Sequence, residues 1–315
     1  MIQVATKDSG FLDDVVTSLA KRELHPSLRY RVDPSNWDRI CEDPSYSFFQ
    51  QEMANLEHNQ DDLKQIIGDR VLVVYGAGGF QKEAMTAKWI KENAGHVEVH
   101  AFDACADYER AALDQLRKQV GDNFDLSYYT MPFEKAESVV SSINVKSGRC
   151  FVCYGGTAGN YDNEVFRIFA ENMTNPNDIM IYGFMVRNGS SEEDIQELYA
   201  SYNPRLPWMI APLTAVRGQM RGVDRLLTEG EITYEFDRAS NFLVMRLVLG
   251  DSAAPLHMGH NGDSVTYQAG DSLILYKTRR PTLSSLVERT QEAGHGKPKL
   301  IATHPEHTHV VNMIV

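Results

Sequence analysis

The sequence predicts an α/β fold in which a doubly wound, mostly parallel sheet is closed by a C-terminal antiparallel β-hairpin and joined by a second α+β domain. Three observations predict it. Short apolar runs alternate with helical segments from Arg70 to Phe184, a glycine-rich turn follows the first run, and two strands end the chain after a capped helix. Such a layout places a ligand at the carboxyl ends of the parallel strands.

From the N-terminus, residues 1–64 read as a helical cap belonging to the second domain. Residues 9–24, 37–40 and 48–67 are amphipathic segments, parted by Asp33-Pro34 and Asp43-Pro44. In the last of them Phe49, Met53, Leu56, Leu63 and Ile66 keep helical spacing and are core candidates, which leaves polar Glu52 to reach a site.

Residues 65–188 make the sheet domain. Val71–Tyr75 is uncharged and β-branched, as suits a strand covered on both faces, and Gly76-Ala77-Gly78-Gly79 follows it directly. A helix starting at Gln81 completes a strand, glycine turn and helix, which present backbone N–H groups to a nucleotide-like ligand. The dinucleotide fingerprint needs a glycine where Gln81 stands, so a pyrophosphate fits less well than S-adenosylmethionine, which carries no phosphate. The alternative for the loop by itself is a plain strand-to-helix turn. Residues 96–103 alternate as a strand and end in Asp103, roughly 25 residues after the loop and near the ~20-residue spacing of a ribose-binding acid. The alternative for Asp103 is the N-cap of a helix over 106–120. Further strands at 126–130, 150–154 and 178–184 set the crevice between Gly76 to Gly79, Asp103, Met131 to Phe133, Tyr154 and the loop Gly155 to Asn160.

Residues 189–280 read as an inserted substrate-binding α+β module. It has a helix at 191–202, a turn rich in proline (Pro204, Pro207, Pro212), a second helix to about Leu227, strands at 232–237, 242–249, 264–267 and 272–277, and a loop at 253–262. Residues 281–315 return to the sheet. Thr282 caps a helix that Gly294 stops, and strands at 299–303 and 309–315 flank a turn at 304–308. His304, His307 and His309 crowd this turn, which reads as a polar surface turn rather than a metal site because no Cys or carboxylate pairs with them at ligand spacing.

Composition narrows the function. Lys and Arg total 31 against 43 Asp and Glu, and the net charge of -12 opposes nucleic acid and anionic membrane as partners. Small-molecule substrates are expected. The 4 cysteines are too few for a disulfide scaffold, and Cys150 and Cys153 lie three apart in a strand, on opposite faces. With neither a leader-like N-terminus nor an apolar run of ~20 residues, a soluble cytoplasmic protein is expected.

Several segments, in order along the chain, resemble one family. WDRICEDPSYSFFQQE (residues 37–52), Gly76-Ala77-Gly78 with Lys82, CYGGTAGNYD (153–162), Ala200-Ser201-Tyr202-Asn203, VMRLVL (244–249) and GDSLILYKT (270–278) are similar to motifs of the L-histidine Nα-methyltransferases of ergothioneine biosynthesis. They also resemble the fungal relatives that N-methylate dimethylallyltryptophan. The resemblance implies a Rossmann-like class I methyltransferase sheet, S-adenosyl-L-methionine as cofactor, and N-methylation of an amino acid in secondary metabolism. It also implies cofactor contacts from Gly76, Ala77, Gly78, Lys82 and Asp103, which join Met131, Phe133, Tyr154 and Gly155 of the crevice. Tyr46, Glu52, Asn160, Tyr202, Met245, Tyr276 and Thr278 fall on substrate positions, Asn160 and Tyr202 being those that hold the amino-acid backbone for catalysis.

The sequence departs from the family at Ser47, at Phe49-Gln50 and, most consequentially, at Tyr276 and Thr278, where the histidine enzymes carry a Glu that grips the imidazole and a Ser. An amino acid or derivative other than histidine is the expected acceptor. The rivals are an NAD(P)-dependent oxidoreductase, opposed by Gln81 and the terminal hairpin, and a non-enzymatic small-ligand-binding protein.

Overall fold

A computed structural model describes residues 10–33, 35–43, 46–143, 145–187, 191–202, 205–251, 254–260 and 263–315. The expected helix start at Ser9, the breaks at Pro34 and Pro44, the domain boundary at 188–189, and Asn203 and Pro204 lie outside the described residues. In chain order the strands are β1 (Val71–Tyr75), β2 (Val97–Asp103), β3 (Phe124–Thr130), β4 (Arg149–Cys153), β5 (Ile179–Met185), β6 (Gly230–Asp237), β7 (Phe242–Leu249), β8 (Leu256–His260), β9 (Asp263–Tyr267), β10 (Ser272–Arg279), β11 (Leu300–His304) and β12 (His307–Ile314). The chain divides into two units, Met1–Asn36 with Ser190–Arg279 and Trp37–Gly189 with Arg280–Val315.

The larger unit is built on a seven-stranded sheet of order β11-β12-β5-β4-β1-β2-β3. β1 to β5 pair in parallel, and β12 runs antiparallel to both β5 and β11. This is the α/β sheet with a C-terminal antiparallel hairpin that the alternation predicts. β4 is buried at every position, as befits a strand under helices on both faces, whereas the edge strand β3 alternates between half-buried and exposed. Period-2 geometry divides β1 between two cores. Leu72 and Val74 pack with Ala84, Ala87 and Leu116 on one face, while Val73 and Tyr75 pack with Phe166, Phe169 and Val140 on the other. Tyr75 stacks on Phe169 at 4.5 Å and receives a hydrogen bond from Asn172.

Helix Phe48–His58 and helix Gln60–Ile67 replace the continuous segment expected over 48–67. Asn59 parts them, its side-chain amide donating to Asn55 and to the Thr303 carbonyl. Both helices belong to the sheet unit, so the first boundary falls after Asn36 rather than at residue 64. The physical reason is burial: Leu56, Leu63 and Ile67 enter the sheet core, and Asn55 donates to Ala302 O and Asn312 Oδ1.

The smaller unit holds an antiparallel sheet of order β10-β7-β6 and the hairpin β8-β9. The loop expected over 253–262 instead contains β8, whose Leu256 and Met258 are buried in alternation while His257 turns outward to Thr266 of β9. Two histidines and a glycine hid this period in the sequence. The proline-rich turn contains two short helices, Leu206–Met209 and Ala211–Ala215, with Pro207 and Pro212 in their first turns, where the missing N–H costs nothing, and the second helix expected to about Leu227 is Val223–Glu229. Near the N-terminus, Leu24 N and Ile274 N bond to Ile274 O and Arg22 O, which adds a short parallel bridge to β10. No helix among the described residues is long and apolar enough to cross a membrane.

One buried ion pair anchors the N-terminal end of β4. Asp178 accepts from the Arg149 backbone N–H at 2.7 Å and from Nη2 at 2.7 Å, while Arg149 Nη1 donates to Val140 O. Removing one partner strands the other charge away from water. Asp178→Ala is therefore expected to cost about 3–5 kcal/mol in urea unfolding. A loss under about 1 kcal/mol, the range of an exposed pair, would contradict the assignment.

Candidate active site

The glycine turn is tied to the sheet by a hydrogen bond from Gly76 N to Phe102 O at 2.9 Å, which sets it beside the end of β2. Gly76 and Gly78 both have left-handed φ, +77° and +47°, and a β-carbon on Gly76 would press on Thr157 at 3.2 Å. A side chain is disfavoured at both positions, by backbone conformation and at Gly76 also by Thr157. Phe80 ends the turn, itself at φ 61°, and helix Gln81–Ala94 begins.

Asp103 closes β2 against this turn. Its carboxylate accepts from Gly78 N at 3.2 Å and Cys105 N at 2.9 Å. The next helix, Tyr108–Val120, has Asp107 at its N-cap, so Asp103 is not that cap. Burial pushes Asp103 up to about 6, against the backbone N–H groups that lower it, and burial pushes neighbouring Glu83 up to about 7. Met131 is tied to Asp103 by its own N–H, which donates to Asp103 O at 2.9 Å.

Lys82 and Glu52 meet within the same unit. Burial works against the Lys82 ammonium, but the carboxylates of Glu52 and Glu83 prevail and raise its pKa above the usual lysine value. Its Nζ lies 2.6 Å from Glu52 Oε2, which also accepts from Gly155 N at 2.9 Å, while Glu52 Oε1 accepts from Asn312 Nδ2 at 3.1 Å. Glu52 is fully buried. A β-carbon on Gly183 would coincide with Glu52 Oε1, so glycine in β5 is what leaves room for this carboxylate.

The remaining predicted residues of this unit divide between loop and core. Tyr154 turns inward and hydrogen bonds to Thr86 Oγ1 at 2.9 Å; Phe133 packs among Tyr75, Tyr161 and Phe169. Ala77 is buried in the turn. Tyr46 stands edge-on to Trp37 and Phe48. Asn160 ends the 3-10 turn Thr157–Asn160 and is buried; the following helix has Asp162 at its N-cap, two residues beyond it.

In the smaller unit Met245 of β7 pairs with Tyr276 of β10. Tyr202 lies 5.6 Å from the Tyr276 ring, and Thr278 is buried in the same strand. Sequence reading missed two neighbours. The guanidinium of buried Arg29 lies 4.9 Å from the Tyr276 ring and 5.1 Å from Trp208, and Arg29 Nη1 donates to Leu275 O at 3.0 Å. No local signal marks Arg29, which is 246 residues from Leu275.

A parallel sheet with a glycine turn and an acid at adjacent strand ends sets a ligand site at the carboxyl ends of its strands. The chain belongs to the family described as histidine-specific, SAM-dependent methyltransferases, whose model matches residues 11–294. The protein is thus a methyltransferase that uses S-adenosylmethionine. Among solved structures, it is similar to a DhpI-SAM-HEP complex, at 11% identity over 98% of this chain and 99% of that chain, TM-score 0.42. It is also similar to magnesium protoporphyrin IX methyltransferase (ChlM) of Synechocystis PCC 6803 with bound SAM, at 10% identity over 87% and 99%, TM-score 0.36. A third is precorrin-6y C5,15-methyltransferase of Geobacter metallireducens GS-15, at 9% identity over 70% and 87%, TM-score 0.29. No curated protein matches the sequence.

The residues present fit the cofactor: glycines at 76 and 78 admit close approach to the backbone, and the Asp103 carboxylate beside them accepts hydrogen bonds. The sign of its pH dependence follows. A hydroxyl donor, such as the ribose expected there, would bond more strongly to the ionised carboxylate, which prevails above about 6 and is lost as pH falls through that value. S-adenosylhomocysteine affinity, measured by calorimetry, is expected to fall below about pH 6, and Asp103→Asn to bind roughly 10-fold or more weakly at neutral pH with that step removed. If the Asp103→Asn variant retained both the affinity and the pH step, Asp103 would not be a cofactor contact.

Proposed function

We propose that the protein transfers the methyl group of S-adenosylmethionine to a nitrogen, first the α-amino group, of a free amino acid or close derivative other than histidine. The observation that carries the choice of acceptor is Tyr276, which stands where the histidine enzymes place a glutamate. A phenol lacks the carboxylate's charge-assisted hydrogen bond to an imidazole. The Arg29 guanidinium at 4.9 Å from that ring adds a fixed positive charge, which disfavours an imidazolium and suits an aromatic or neutral side chain.

When bound, the cofactor supplies a methyl group on an electrophilic sulfonium. The chain supplies orientation, the larger part of catalysis for such a transfer. The Gly76 to Gly78 turn and Asp103 would hold the nucleoside end. Asn160 is assigned to the amino-acid backbone, since its amide donates to a carboxylate and accepts from an amine, and Tyr202 is assigned to the same backbone. Tyr46, Met245 and Thr278 complete the acceptor assignment. Glu52 and Lys82, assigned by resemblance to substrate and cofactor, are proposed to act at one remove, by holding the Gly155 turn.

The test is incubation of purified protein with S-adenosylmethionine and each proteinogenic amino acid singly, together with tryptophan derivatives, read by mass spectrometry for a one-methyl gain. An acceptor other than histidine is expected to be methylated fastest. Tyr276→Glu should raise histidine methylation by roughly 5- to 30-fold, the equivalent of a ~1–2 kcal/mol charge-assisted bond. Wild-type protein that prefers histidine would overturn the reading of Tyr276.

A further inference from the structure

The turn between β11 and β12 carries two imidazoles and a carboxylate outside the residues assigned to methyl transfer. His304, Glu306 and His307 each offer a ligand atom, and these atoms all lie within 4.8 Å of one another. His304 pairs with His307 across the hairpin, where a register shift brings both rings to one side, stacked at 5.1 Å. A third imidazole approaches from another element: His58, in the last turn of helix Phe48–His58, stands edge-on to His304 at 4.9 Å.

We propose that His304, Glu306 and His307 bind a borderline divalent transition-metal cation, with His58 as the fourth ligand. Two or three imidazoles with one carboxylate suit Zn2+ and its neighbours, and not Ca2+ or Mg2+, which require a shell of oxygens. Zinc bonds of ~2.0–2.2 Å in a tetrahedron set donors about 3.3 Å apart, so the three ligand atoms of the turn must close by about 1.5 Å at most, and His58 must swing in from its edge-on place beside His304. Side-chain rotation in this turn supplies it, because Glu306 and His58 are exposed and both turn histidines only half-buried. One local bond is exchanged. His304 Nδ1 accepts from Glu306 N at 3.2 Å, and ligation through Nε2 needs the tautomer with the proton on Nδ1. Water replaces that exposed contact.

The bound ion would tie the end of the helix that carries Glu52 to the hairpin, beside the Asn55 to Ala302 O and Asn59 to Thr303 O bonds that already join them. Binding should therefore be read as affinity and as stability.

The experiment uses the full chain without a purification tag, Zn2+ as the probe in equilibrium dialysis, and Co2+ as a spectroscopic stand-in. One Zn2+ per chain, a tetrahedral Co2+ spectrum and a raised thermal midpoint are expected. His304→Ala and His307→Gln should each weaken Zn2+ binding at least 10-fold and abolish the thermal shift, while apo stability stays unchanged. His307→Gln keeps size and polarity, so it carries the test should the alanine variant fold poorly. Wild-type protein that takes up no Zn2+, or variants that bind it as tightly as wild type, would overturn the proposal.

Discussion

Glu52 and Lys82 are a carboxylate and an ammonium placed together inside an α/β sheet domain, where each ion loses several kcal/mol of hydration unless every polar atom finds a partner. Here the partners are found. Lys82, Gly155 N and Asn312 Nδ2 occupy the carboxylate, and Asn55 and Asn59 extend the network to the terminal hairpin. The pair thereby fastens together helix Phe48–His58, the helix that follows the glycine turn, the loop after β4, and β12. It also dictates a residue in a fifth element, since only glycine at 183 leaves space for Glu52 Oε1.

This constraint bears on the site because two of the fastened segments border it. Lys82 is in the first turn of the helix that begins at the glycine loop, and Gly155 opens the loop that ends at Asn160. A charge pair that receives hydrogen bonds from fixed directions holds these loops more stiffly than apolar packing, which tolerates sliding. Asp103, at the neighbouring strand end, is held separately by two backbone N–H groups. The two carboxylates are buried differently: Glu52 beside a cation, Asp103 against backbone dipoles.

The fold was legible because strand and helix periods survive in the sequence. Val71–Tyr75, the glycine turn, Thr282 with its accepted Ser285 N–H, and the terminal hairpin are all local signals. β8 was not legible, since His257, Gly259 and His260 mask the alternation of Leu256 and Met258. Glu52 looked like a polar side chain available to a ligand, and its enclosure depends on Asn312, 260 residues away. Arg29 beside Tyr276 is hidden for the same reason. In the hairpin turn the carboxylate missing from the histidine cluster is Glu306; a turn three residues tighter than expected brings it to His304 and His307.

The claim that one buried pair organises the cofactor-side loops is tested most directly by a double-mutant cycle in urea, with Glu52→Gln, Lys82→Met and the two combined. Each single change strands a buried partner and is expected to cost about 3–5 kcal/mol, with the double mutant losing less than the sum by roughly 1 kcal/mol or more, the scale of coupling between contacting residues. Single losses below about 1 kcal/mol that add without coupling would contradict it.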